Sequence, residues 1–284
     1  MTTTPATVRT DRRATTVTRR PPSTWRTSLS RTGLELREML RSRDDVVFTL
    51  ALPVLLLVIF GSVFTDDIAP GVTFTQYFTA GMAASGVLLT SFQSLAIAIA
   101  VERDTGALRR LEGTPMPRAA FFLGKVGLVL VTGTAQLAVL LAVAWLVFDV
   151  PMPTGVSGWA TLVWVAVLGS AAGTLLGIAY SSVPSSARSA TAVVAPVVLV
   201  LQFVSGVFFV FTELPGWMQA VASAFPLRWM TQGFRAALLP ETMEAAEAGG
   251  SWDLGLVALV LAGWVVVGLV LCLTTFRWRR RGDR

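Results

Sequence analysis

Apolar residues run in six long blocks: Val46–Phe64, Phe78–Val101, Ala119–Phe148, Trp159–Tyr180, Ala192–Phe211 and Leu254–Phe276. Each is close to or longer than the roughly 20 residues with which a helix crosses a ~30 Å hydrocarbon core. The pattern predicts an all-α polytopic membrane protein with six transmembrane helices. The stretch Thr212–Leu239 reads differently. Pro215–Gly216 makes a turn, a short run Trp217–Phe225 follows, Pro226 breaks it, and a second run ends at Pro240. A nine-residue run reaches roughly 14 Å at 1.5 Å per residue. Runs of that size favour interfacial or re-entrant placement.

Ahead of the first block, residues 1–24 are rich in Thr, Arg and Pro and read as a disordered cytoplasmic tail. From residue 25 to residue 45 the pattern changes. Trp25, Leu29, Leu36 and Leu40 fall at helical spacing, with Arg26, Arg31, Arg37 and Arg41 among them. This predicts an amphipathic helix on the inner leaflet; the alternative is a plain basic juxtamembrane segment. No apolar core follows the early arginines before Val46, so the segment is not a secretory signal. The membrane domain is expected over residues 46–276, with a basic cytoplasmic tail at residues 277–284.

Composition sharpens this picture. The chain has 284 residues, 54% hydrophobic and 14% charged, against roughly 25% charged in soluble domains. Its net charge of +6 would point to nucleic acid in a soluble protein. Here the basic residues report orientation instead. With both termini in the cytoplasm, all but Arg228 and Arg235 of the 23 Lys and Arg lie on the inner side. No nucleic-acid partner is expected. Lys125 is the only lysine, and this bias with abundant Ala, Val and Gly fits a GC-rich bacterial genome, hence a bacterial cell membrane. There is no His and a single Cys, Cys272, which excludes an internal disulfide and imidazole metal sites. No catalytic, cofactor-binding or metal-binding residue is expected.

Polar residues inside the blocks are few: Ser91, Gln93 and Ser94 in the second, Gln202 and Ser205 in the fifth. They serve helix–helix hydrogen bonding, line a substrate path, or both. Gly169, Gly173 and Gly177 recur every fourth residue in the fourth block and predict a flat face for close helix packing.

The remaining feature is a charged insert between the second and third blocks. Glu102, Arg103 and Asp104 close one block, and Asp104 and Thr105 are good helix N-caps. Gly106 follows, and Ala107–Glu112 is helix-prone, with Leu108 and Leu111 on one face and Arg109 and Arg110 beside them. Gly113 stops it, and Thr114 with Pro115 can start the next helix. Six residues are far below the ~12–15 that make an isolated helix even marginal. Either the rest of the protein, lipid headgroups or a cytoplasmic partner must hold it.

Glu102, "TGALRRLEGTP" and Gly124–Lys125 resemble the cytoplasmic loop of ABC-2-type transporter permeases. In that family Glu is followed by Gly-Thr-Leu-Glu-x-Leu, Thr-Pro and a later Gly-Lys; here Ala107 and Arg109 depart from the pattern. The stretch Phe203–Leu239, with its Ser-Gly, Leu-Pro-x-Trp and Phe-Pro-Leu elements, is a second likeness, nearest to actinobacterial permeases of the daunorubicin-exporter kind. The resemblance implies that Glu102–Glu112 with Thr114 and Pro115 couple the permease to an ABC ATPase, with Leu108 and Leu111 supplying apolar contact. The loop Ser181–Ala190 would add a smaller contact. It also implies a homodimer, a re-entrant hairpin over the outer pathway with Arg228 and Arg235 as isolated positive charges near the exit (the alternative being that they snorkel to headgroups), and Arg235 among residues facing the substrate. The function expected is export of a hydrophobic or amphipathic small molecule through the lipid bilayer.

The chain carries no G-x-x-x-x-G-K-[ST], since Gly124–Lys125 is followed by Val126. ATP and Mg would therefore be bound by a separate subunit, and this chain is not itself an enzyme. One alternative is an ion-coupled carrier. No Asp or Glu falls mid-block to serve a proton relay, though sodium sites of carbonyls and hydroxyls stay open. A non-transporting membrane scaffold is the other alternative.

Overall fold

The computed structural model describes residues 23–42, 47, 51–153 and 155–276. The expected disordered tail and basic C-terminal tail lie outside these residues, apart from the last two positions of the former. Eleven helices and one two-stranded hairpin are present among the described residues.

α1 (Thr24–Arg41) lies along the first half of α6 (Arg118–Phe148). It docks by its polar side: Ser28 and Glu35 are buried, while Trp25, Leu29, Leu34 and Leu40 are exposed. Two glycines of α6 permit the approach. A Cβ on Gly124 would stand 2.6 Å from Arg31 Cγ, and one on Gly127 would run into Thr32. The Thr32 hydroxyl donates to the Gly124 carbonyl at 3.2 Å. An outward apolar stripe on a helix held by its polar side fits a lipid surrounding rather than water.

α2 (Leu52–Val63) has 12 residues. At 1.5 Å per residue it reaches about 18 Å, short of a full crossing. The block expected to form the first span begins at Val46, and residues 43–46 and 48–50 lie outside the described ones. Five helices are long and apolar enough to cross a membrane: Phe74–Asp104, Ala119–Phe148, Gly155–Tyr180, Ala187–Val204 and Leu254–Thr275. Five, where the hydropathy blocks predicted six, is thus the count among the described residues.

A hairpin of β1 (Asp67–Ala69) and β2 (Val72–Thr73) turns at Pro70–Gly71, where Gly71 has φ 77°. The Thr73 hydroxyl accepts from the Gln76 amide at 3.2 Å and caps α3 (Phe74–Leu88). A π-helical turn, Leu89–Gln93, joins α3 to α4 (Ser94–Asp104). The combined helix is the hub of the bundle: 72% of its apolar window is buried, against 28% for α8 (Ala187–Val204) and 22% for α11 (Leu254–Thr275). A π turn is wider than an α turn and is rare. It sits against α7 (Gly155–Tyr180), where a Cβ on Gly177 would meet the Phe92 carbonyl oxygen at 2.9 Å and one on Gly173 would run into Ser91. One turn earlier, a Cβ on Gly169 would stand 2.9 Å from Met230. The glycine row thus receives two neighbours, the widened turn and the helix that carries Met230.

That helix is α10 (Pro226–Leu238), which follows α9 (Gly216–Ser223). Their 13 and 8 residues are both too short to cross. α9 is largely exposed. α10 is buried over most of its length, including Arg228, Thr231, Gln232 and Arg235. α5 (Ala107–Glu112) lies at the opposite end of the bundle. α6 starts at Arg118 with Pro117 at the N-cap position, rather than at Thr114–Pro115. Thr114 instead donates to the Leu111 carbonyl at 2.7 Å and closes α5.

Replacing Gly173 with Leu overpacks this contact and should cost about 1–3 kcal/mol, read as a lower thermal unfolding midpoint in detergent. Gly263→Leu on α11, where a Cβ meets nothing within 4 Å, should leave the midpoint unchanged. Equal midpoints for both variants would refute the packing role of Gly173.

Candidate functional sites

Two polar centres lie at opposite ends of an apolar bundle. At the α5 end, three consecutive charged residues each reach a different element. Glu102 Oε1 is 2.5 Å from Lys125 Nζ on α6 and 3.9 Å from the Arg31 guanidinium on α1. Arg103 donates to the Ser181 carbonyl at 2.5 Å and to its hydroxyl at 3.0 Å, just past the end of α7. Asp104 Oδ2 accepts from the Ala187 amide at 3.0 Å, at the start of α8. Lys125 is nearly sealed, with 2% of its side chain exposed, and its second partner is Glu35 of α1 at 3.1 Å. Glu35 in turn accepts from Arg31 at 2.7 Å. The Phe121 ring lies 5.6 Å from both cationic groups.

The caps expected for α5 act elsewhere. Asp104 caps α8 alongside the Ser186–Ser189 capping box. The Thr105 hydroxyl turns back to the Val101 carbonyl at 3.0 Å. α5 opens at Gly106, whose φ of 72° reverses the chain without a side-chain cap; this left-handed conformation favours Gly over any residue with a Cβ.

Leu108 also departs from its expected role. It is fully buried in its own protein, among Leu95, Ile99, Phe121, Val129, Ile178 and Cys272. Leu111 packs at the edge of the same cluster. The apolar face of α5 therefore looks inward to the bundle, which explains how so short a helix is held. Thr105, Arg109, Arg110, Gly113, Thr114 and Pro115 are its exposed residues, with Ala107 and Glu112 half-buried. The neighbouring loop exposes Val183, Ser185 and Arg188.

At the other end, Arg235 is fully buried and Arg228 nearly so. The expectation of isolated basic residues gives way to shared pairing with Glu247. Its Oε1 lies 2.9 Å from Arg235 and its Oε2 3.3 Å from Arg228. Arg235 also donates to the Gly206 carbonyl and lies 4.2 Å from the centre of the Tyr77 ring. Arg228 lies 3.8 Å from the centre of the Phe211 ring, and the Tyr77 hydroxyl accepts from the Phe211 amide at 3.1 Å. Burial pushes the Arg228 guanidinium down to about 10, with Glu247 opposing the shift, so it stays cationic at neutral pH. Glu247 and Tyr77 carried no sequence signal. The glutamate sits in a polar stretch of Glu, Ala and Gly, and only the fold turns it inward. A cavity of about 190 Å³ opens beside Tyr77, Phe211, Met243 and Glu247. It is smaller than the ~300–1,000 Å³ of small-molecule pockets.

The polar residues within the helices do not meet at one point. Ser91 bonds back to the Val87 carbonyl at 2.5 Å against Gly173. Gln202 donates to Ser85 at 2.9 Å and ties α8 to α3. Ser205 is buried, and its carbonyl accepts from Thr231 at 3.1 Å. Gln93 is half-buried. Sequence reasoning passed over Gln136 of α6. It is fully buried beside Gly86, and neither of its side-chain polar atoms has a hydrogen-bond partner among the described residues.

Removing the carboxylate with Glu247→Ala strands two buried guanidinium groups. Breaking a buried pair costs about 3–5 kcal/mol, so the variant should show a sharply lower unfolding midpoint or fail to accumulate. Wild-type abundance and midpoint would show that the pairing is dispensable.

Comparison with known proteins gives one family. The family model described as ABC-2 type transporter matches residues 31–239. No curated protein matches the chain.

Proposed function

The chain belongs to the ABC-2 type transporter family as a multi-pass permease subunit of an ABC transporter, and we propose that it exports a hydrophobic or amphipathic compound from a bacterial cell, in the plasma membrane. Two copies pair, and a separate ABC ATPase binds ATP and Mg and supplies the energy. In this reading α2, with the residues before it, completes six crossings, α9 and α10 form a re-entrant hairpin on the outside, and both termini are cytoplasmic. α1 rests on the inner leaflet.

The observation that carries the reading is the division of labour in α5. Its apolar face is buried in the bundle, while Arg109, Arg110, Thr114 and Pro115 are exposed. The ATPase is met by this exposed face. Leu108 links the docked helix to the bundle instead of contacting the partner. Glu102, Arg103 and Asp104 belong to the same coupling element but face inward.

An ion-coupled carrier is less well supported. The buried ionisable groups Lys125 and Arg235 are engaged in ion pairs at the two ends of the bundle. Ser91, Gln93, Gln202 and Ser205 are the residues along which a substrate would pass once the helices around them part, since Ser91, Gln202 and Ser205 are buried within one copy, and Arg235 fixes the outer hairpin beside that route. Their changes should alter substrate preference more than ATPase binding.

Arg109→Glu with Arg110→Glu should leave permease abundance unchanged and reduce ATPase recovery in a pull-down from membranes about tenfold or more, as expected for rim charges of an interface. Leu108→Asp should instead lower permease abundance itself. Wild-type ATPase recovery with the double variant would refute docking through α5. Orientation is checked in a Cys272→Ala background: a cysteine at Asp67 should react with an impermeant thiol reagent from outside intact cells, and one at Gly113 should not. The reverse labelling would overturn the cytoplasmic placement of α5.

A further inference from the structure

α5 is covalently joined to only two helices, α4 and α6. Yet Glu102, Arg103 and Asp104, which close α4 just upstream of it, make contacts to four elements: α1, α6, the end of α7 and the start of α8. Each contact has a different chemistry. Glu102 uses an ion pair, Arg103 a two-pronged hydrogen bond, and Asp104 the amide at a helix N-terminus. The Arg103 guanidinium also lies 5.9 Å from the centre of the Phe276 ring, just beyond α11, and Ser182 donates to the Thr275 carbonyl at 3.0 Å.

We propose that Glu102, Arg103 and Asp104 are positioning residues that make α5 and the Ser181–Ala190 loop one rigid body, so that a displacement of α5 is delivered to α1, α6, α7 and α8 together. The proposal rests on the reading of α5 as the ATPase-docking element and adds the route by which its motion spreads. Asp104 is the decisive member. α8 is only weakly secured by packing, with 28% of its apolar window buried. Its first turn is held by its own capping box and by the Asp104 carboxylate across the loop. A helix N-terminus offers free amides that an Asp side chain satisfies well and an Asn side chain nearly as well. Arg103 works through geometry that Lys cannot reproduce, because a planar fork reaches the carbonyl and the hydroxyl of Ser181 at once. Glu102 anchors the other side through Lys125, which Glu35 also holds. The second loop thereby moves with α5 without itself having to touch the ATPase.

Two measurements on the full-length permease test this. The first needs no partner. Amide hydrogen exchange is followed in wild type, Asp104→Ala, Asp104→Asn and Arg103→Ala. Asp104→Ala and Arg103→Ala should speed exchange in residues 187–190 and in residues 107–112 by about tenfold, the scale of coupling along a contact network. Asp104→Asn should stay close to wild type. Exchange confined to the mutated loop, or equal in the Ala and Asn variants, would overturn the shared rigid body. The second uses the complex with the ATPase recovered in the pull-down above. Asp104→Ala and Arg103→Ala should keep ATPase recovery and ATP hydrolysis within twofold of wild type while transport per ATP falls about tenfold. Loss of ATPase recovery with these variants would make them contact residues and overturn the proposal. Failure of the docking reading is a separate result, visible when Arg109→Glu with Arg110→Glu retains the ATPase.

Discussion

An ammonium group taken out of water costs several kcal/mol unless charge and hydrogen bonds replace its hydration. Lys125 meets that demand with two carboxylates from distant parts of the chain, Glu35 and Glu102. Satisfying it fixes much else. Glu35 can reach Lys125 only if α1 lies against α6, and α1 can lie there only because Gly124 and Gly127 present no Cβ. Glu102 can reach it only if α4 ends beside the same face. From that point Arg103 and Asp104 have few directions left, and they settle on the neighbouring loop. Arg235 and Arg228 impose a parallel demand at the other end, where one carboxylate and two aromatic rings surround two guanidinium groups. Between the two ends the described helices carry no paired charge, and packing, with a few buried hydrogen bonds such as Gln202 to Ser85, decides their arrangement.

That packing is set by side-chain absence as much as by bulk. A widened π turn in the most buried helix would collide with any ordinary neighbour. The glycine row of α7 removes the obstacle and converts a local irregularity into a close helix contact in the bundle centre. Around the first turns of α3, Phe60, Phe74, Phe78 and Phe208 fill the space with ring centroids 5.1–6.3 Å apart.

Much of this was legible in the chain. Hydropathy placed four of the five long helices within about four residues, because a lipid environment leaves a strong one-dimensional trace; the helix expected over Ala192–Phe211 instead runs Ala187–Val204, since the apolar run continues past its end into a non-helical stretch. The glycine spacing in α7 and the short helix Ala107–Glu112 were equally readable, since both depend on local periodicity. What escaped was everything decided by contact across the sequence. Asp104 has the chemistry of a cap, but nothing local says that the helix it caps starts 83 residues away. Leu108 looks like an exposed anchor until Phe121 and Ile178 are placed around it. Glu247 reads as a surface residue of an acidic loop, and its burial follows from two arginines on a neighbouring helix. The first expected crossing, Val46–Phe64, begins on residues outside the described ones, and Leu52–Val63 is the part of it that is described as a helix.

α11 offers a last consequence. With 22% of its apolar window buried, most of its surface meets lipid tails, and hydrocarbon does not distinguish Leu from Val or Ile. Most of its positions are therefore interchangeable at little cost, provided length and apolarity hold. Gly268 is an exception, because a Cβ there would stand 2.9 Å from Leu175. Divergence should accumulate fastest in this helix while its role stays fixed, so that descendants of one ancestor keep the same eleventh helix with hardly a shared letter.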